Sequence, residues 1–179
     1  MTDQTDADDA GLSLIELIIY VLLASVILGG MATILINSWS TQQDVQTTTQ
    51  ATNRGQLIGQ SIERAVRNAE AFDVSPDGTM LRVHTTLGGD RACQAFWFTG
   101  GAAYMTSSAG PLPAATTVAW PAPWIPAGVV QNGSTAFFVQ DNFALTYTFD
   151  IETESAPVRF EGDVSQRTPE TGATTPCWS

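Results

Sequence analysis

From Leu12 to Ile36 the chain runs for 25 residues with a single charge, Glu16. Coiled as a helix, the stretch from Leu17 onward alone is ~30 Å long, the thickness of a bilayer's hydrocarbon. Apolar surface of that extent needs lipid or other apolar helices around it. A carboxylate carried deep into lipid costs ~2.5 kcal/mol or more. Glu16 therefore belongs at the membrane interface or opposite a cation, for example one on another subunit. No proline occurs before Pro76, so nothing in the composition stops the helix outright.

Gly11, Leu12, Ser13, Leu14, Ile15 and Glu16 resemble the processing site of type IV pilins and the related pseudopilins, in which a Gly precedes the mature chain and a Glu stands at its fifth position. The resemblance implies cleavage between Gly11 and Leu12 by a membrane-embedded prepilin peptidase. It also implies N-methylation of Leu12 and an assembly role for Glu16 against the Leu12 amine of a neighbour. The partners it implies are other pilin subunits, the prepilin peptidase and the cytoplasmic (inner) membrane. The location it implies is a single pass through that membrane with the head outside, and then the pilus or cell surface. Leu12 stands where Phe is commonest in the family, and the leader carries Asp3, Asp6, Asp8 and Asp9 without a cation. The next cation is Arg54, so the positive-inside rule assigns no orientation, which comes from the resemblance alone. The likeness is specific over Gly11–Trp39 and architectural thereafter. The helix end Ile62–Ala69 and the final Val164–Arg167 look like those of minor pilins.

Two other readings of the apolar run compete. A secretory signal peptide has a basic start, a 7 to 15 residue apolar core and a small-residue cleavage site after that core. This chain lacks the first and overshoots the second. A plain signal anchor would hold an outside domain on the membrane with Glu16 incidental. Neither needs Gly before Leu-Ser-Leu-Ile-Glu.

The chain divides into a leader (1–11), a transmembrane or filament-core helix (12–39), an amphipathic continuation (40–72) and an extracellular β-rich head (73–179). Ser40–Gln56 is rich in Thr and Gln and reads as a solvated helix or a linker. Beyond it Ile58, Ile62, Ala65, Val66, Ala69 and Phe72 recur at helical steps and form one apolar stripe for a sheet. Glu63 and Arg67 are spaced as a favourable i,i+4 pair. Gly55 and Gly59 each cost ~1 kcal/mol relative to Ala unless a neighbour needs the space. Gly29 and Gly30 are the helix's expected weak point.

After Phe72 the period becomes alternating. A Pro76-Asp77-Gly78 turn leads into Leu81, Val83 and Thr85 on one face, with Arg82 and His84 on a wet face. Ala92–Phe98 and Ala102–Thr106 flank Gly100-Gly101 as a hairpin. Phe137–Gln140, an Asp141-Asn142 turn and the alternating Phe143, Leu145, Tyr147, Phe149 and Ile151 form a second pair, and Val158–Val164 is a last strand. The expected fold class is α+β: a long N-terminal helix, membrane-spanning in its first half, packed by its C-terminal half on an antiparallel sheet of five or six strands.

Cys93 and Cys177 are the only cysteines and suit one disulfide in an oxidising compartment, two unpaired buried thiols being the alternative. Eighteen acids against seven Arg and no Lys make the chain acidic; without the four leader acids the balance is 14 against seven. Such a head repels polyanions, so direct binding of nucleic acid is not favoured. No HExxH, P-loop or GxSxG occurs, and His84 is the sole histidine. The expectation is no catalytic residue, no metal and no cofactor. Asp73, Asp77 and Asp90 near strand ends match no calcium loop.

Between Ser107 and Gly133 the most individual segment is Trp120-Pro121-Ala122-Pro123-Trp124-Ile125-Pro126. Two Trp on a proline-stiffened loop make a candidate recognition platform for a sugar ring or a filament neighbour. The plainer role for Trp120 and Trp124 is to cover the open face of the sheet. The sequence as a whole supports a non-enzymatic, minor pilin-like structural subunit of a type IV pilus or related secretion filament. The alternative is a signal-anchored extracellular binding module that uses the Trp/Pro-rich loop and does not polymerise.

Overall fold

The computed structural model describes residues 14–85, 90–116, 118–167 and 177–178. Gly11 and Leu12 lie outside them. The chain forms two compact units, Met1–Gln43 and Asp44–Ser179. One helix, α1 (Leu14–Arg67), has residues in both.

In the first unit α1 is apolar enough to cross a membrane by length and composition, with mean hydropathy 2.4 over its most apolar window. It passes through Gly29 and Gly30 as regular helix. Ser25, Thr33, Ser40 and Thr41 donate their hydroxyls to carbonyls three or four residues earlier, at 2.8–3.0 Å. Polar side chains satisfied in this way can sit in an apolar helix without other partners. Thr49 and Thr52 repeat the device in the second unit, where the Thr/Gln-rich run is helical.

The second unit is an α+β head in which the last turns of α1 pack on antiparallel strands. These are β1 (Ala69–Val74), β2 (Met80–Thr85), β3 (Ala92–Thr99), β4 (Ala102–Ser108), β5 (Val129–Val130), β6 (Phe138–Asp141), β7 (Ala144–Ile151) and β8 (Val158–Ser165). The first four form a meander in the order β1-β2-β3-β4. In the second sheet β8 pairs with the whole of β7, whereas β6 pairs with its first half and β5 with its end. β5 and β6 therefore share the other edge of β7. Backbone bonds stitch the sheets together, from Phe138 N–H to the Gly78 carbonyl and from Val129 N–H to the Gly101 carbonyl. Gly78 and Gly101 hold φ of +66° and +78°, a backbone region that favours glycine.

Ile58, Ile62 and Val66 of α1 meet Leu81, Val83, Phe96 and Phe98 of the first sheet and Leu145, Phe149 and Ile151 of the second in one core. Phe98 sits at its centre, with ring centroids of Phe137, Phe138 and Phe149 4.9–5.5 Å away. Each such side chain taken from water contributes ~1.5–3 kcal/mol.

Four expectations are corrected. The helix ends at Arg67 rather than Phe72, because Asn68 turns its side chain onto the Arg64 carbonyl at 2.7 Å and Ala69–Val74 pairs with β2 instead. Among the described residues the strands number eight in place of five or six. The second face of β2 is not wet: Met80 and His84 are buried there and only 12 % of the Arg82 side chain is exposed. A smaller cluster of Met80, Cys93, Ala95, Leu112 and Cys177 roofs that face. Phe143, grouped with the alternating core residues, lies in the turn and is 55 % exposed, while Leu145, Tyr147, Phe149 and Ile151 are buried.

Candidate functional site

Glu16 stands in the first turn of α1, where the positive end of the helix dipole favours a carboxylate. Tyr20, one turn on, donates its phenolic proton to Glu16 Oε1 at 3.2 Å. The large apolar residues around it, from Leu14 through Trp39, are exposed. Among the described residues Glu16 is thus the one charged group on a largely apolar, exposed surface, held by one phenol. Such a group fixes alignment at a cost in stability, as a lone polar residue does in a coiled-coil seam.

In the head, Cys93 and Cys177 form a disulfide across a sequence separation of 84. Cys177 is fully buried, and its carbonyl accepts the Leu112 N–H at 2.6 Å. Cys177 is therefore held to β3 by the disulfide and to the Pro-rich loop by that hydrogen bond, over the outer face of the first sheet. Trp120 and Trp124 part company on this frame. Trp120 packs on the disulfide cluster, 5.2 Å from Trp97 and 6.1 Å from Tyr104 by ring centroids, and its indole N–H bonds the Ala115 carbonyl at 2.8 Å. Trp124 packs on the main core. Both rings are partly buried, so both serve as cover for apolar surface and neither stands free on the loop.

His84 is 6 % exposed, with Nδ1 3.4 Å from Glu70 Oε2, and Arg91 Nε lies 3.5 Å from Glu70 Oε1. Asp73 is paired with Arg82. Asp77 accepts hydrogen bonds from the Ser75 hydroxyl and from the Thr79 hydroxyl and N–H, which hold its carboxyl below the ordinary value of 3.8. Cys93 lies opposite His84 across β2 and β3, with its sulfur in the disulfide.

Sequence reasoning gave no role to Tyr147, which links helix to sheet. Its phenol donates to Glu63 Oε1 at 3.0 Å, while Glu63 Oε2 takes Arg67 at 3.0 Å. Burial pushes the Tyr147 phenol strongly upward, and the Glu63 carboxylate adds to the shift. A Cβ on Gly59 would stand 2.8 Å from that phenolic oxygen, and Gly162 meets the same ring from the sheet side. Glu63 at helical spacing from Gly59 was the one available signal.

Among the described residues the head carries two open clefts of note. One, of about 310 Å³, lies between the Ser75–Met80 turn, Arg82 and Pro113–Thr116. The other, of about 370 Å³, lies between Thr47–Arg54 of α1 and the segments at Gly128 and Glu152–Glu154. Compared with protein-family models, curated proteins and solved structures, the chain finds no match in any of the three.

Proposed function

We propose that the chain is a pilin-like structural subunit, of the minor class, in a type IV pilus or related secretion filament, cut after Gly11, N-methylated on Leu12 and polymerised through α1. The observation that carries the reading is Glu16 in the first turn of a 54-residue helix whose apolar residues as far as Trp39 are exposed. Surface of that kind is stable only in lipid or against other helices. A filament supplies both in turn: the bilayer holds the helix before assembly, and the helices of neighbours hold it afterwards. Glu16 then supplies register, and the disulfide-bonded head is what each subunit displays outside the membrane.

Intact-mass measurement of the native protein tests the processing step. The reading expects a chain that begins at Leu12, carries one added methyl group and lacks two hydrogens for the disulfide. An uncut chain beginning at Met1 would instead fit the signal-anchored binding module.

A further inference from the structure

In the cleft between α1 and the β7–β8 connection, Arg54 faces the same space as Glu152 and Glu154. None of the three makes an ion pair among the described residues. The connection is braced: Thr153 Oγ1 accepts the Ser155 and Ala156 N–H groups and donates to the Ala156 carbonyl, and Glu152 N–H bonds the Gly128 carbonyl at 2.8 Å. Two exposed carboxylates on a braced backbone and one exposed guanidinium thus line a cavity of about 370 Å³ with a net charge of minus one. The inverse set stands further along the same helix. Arg64 is exposed and unpaired among the described residues, and beside it Arg67 and Glu63 form an exposed pair, a net charge of plus one.

We infer that the Glu152/Glu154 cleft of one head receives the Arg64/Arg67 end of α1 from a second copy of this chain. The inference rests on the filament reading above. Arg64 and Arg67 lie 10 and 13 residues beyond Arg54, the charge that α1 itself gives the cleft, ~15–20 Å along the helix axis. A contact between two different patches is head-to-tail, the kind that a filament requires, whereas a self-complementary patch would close a dimer. Exposed charge pairs contribute little affinity but do select register and partner. The apolar helix therefore supplies the attraction and the cleft chooses which neighbour lies above it.

Cysteines introduced by Glu154→Cys and Arg64→Cys in the full-length chain, bridged on cells by a short bismaleimide, test the contact in sheared surface filaments. They remove one charge from each patch and leave Glu152 and Arg67 as the pair to swap. Covalent multimers should exceed those of either single-cysteine chain. Adding Glu152→Arg should cut their yield about fivefold, the scale of an exposed charge pair. Combining Glu152→Arg with Arg67→Glu should restore the yield, which also shows that the variants fold. Filaments that contain the chain without this link would overturn the contact and leave the filament reading standing. Links indifferent to the charge swap would overturn the charge-selected register. Absence of the chain from sheared filaments would overturn both inferences.

Discussion

Replacing Gly59 with Ala should reverse its effect on stability according to whether residue 147 carries a hydroxyl. In the native chain the added Cβ would lie 2.8 Å from the Tyr147 oxygen, which is buried, bonded to Glu63 and closed in from the other side by Gly162. Overpacking a site that cannot yield costs ~1–3 kcal/mol. Ala in place of Gly inside a helix returns ~1 kcal/mol. The net effect is destabilisation by ~1 kcal/mol, or a fall of ~4 °C in Tm for a head of this size. In a Tyr147→Phe background the oxygen is gone, and the nearest remaining ring atom is 3.5 Å from the Cβ, ordinary contact. Only the helix gain remains there, so the same substitution should stabilise by ~1 kcal/mol, a coupling of ~2 kcal/mol across the cycle. Tyr147→Phe alone should cost ~1 kcal/mol for the lost bond to Glu63. Urea unfolding of the four full-length chains in detergent, followed by tryptophan fluorescence, measures the cycle. A Gly59→Ala shift of the same sign and size in both backgrounds would refute the close approach of α1 to β7.

Other outcomes follow from the head. Cys93→Ser with Cys177→Ser should lower its stability by ~4–5 kcal/mol on the chain-entropy account of a loop of this length, read as a drop in the urea midpoint; an unchanged midpoint would contradict it. Asp77 has a folded-state pKa below its unfolded value, so its contribution is present above pH 3.8 and lost as pH falls through the lowered value. Asp77→Asn should therefore flatten the acid limb of the midpoint against pH, an effect kept small by the exposure of the carboxyl. Trp120→Ala and Trp124→Ala should both weaken folding, by ~2–3 kcal/mol each, since each ring covers a separate cluster. A folded, fully stable Trp124→Ala head would move that side chain from packing to recognition.

Much of the head could be read from residue order because local pattern and final packing agree there. Leu145, Tyr147, Phe149 and Ile151 alternate in sequence and are buried in β7, and Ile58, Ile62 and Val66 keep helical spacing and form the helix's inner face. The misreadings arose where a remote segment decides. Ala69 and Phe72 continue the helical stripe by spacing, and both are buried, but in a strand that pairs with β2. His84 and Arg82 occupy the polar positions of an alternating strand. Nothing local tells that Leu112 and Cys177, far along the chain, close over their face. Gly59 was legible as a residue that needs a close neighbour, but that neighbour, Tyr147, is 88 positions away. The same separation explains Trp120 and Trp124, adjacent on one loop yet assigned to different clusters by strands the loop does not contain.

The central claim is that Glu16 and the apolar helix behind it exist for polymerisation. It is tested most directly by the amount of this chain in surface filaments sheared from cells, compared between the native chain and Glu16→Ala at equal membrane levels. The account predicts that the native chain is recovered with the filaments and that the Glu16→Ala chain stays in the membrane fraction. Recovery of Glu16→Ala in the filaments at native levels, or of neither chain, would contradict it.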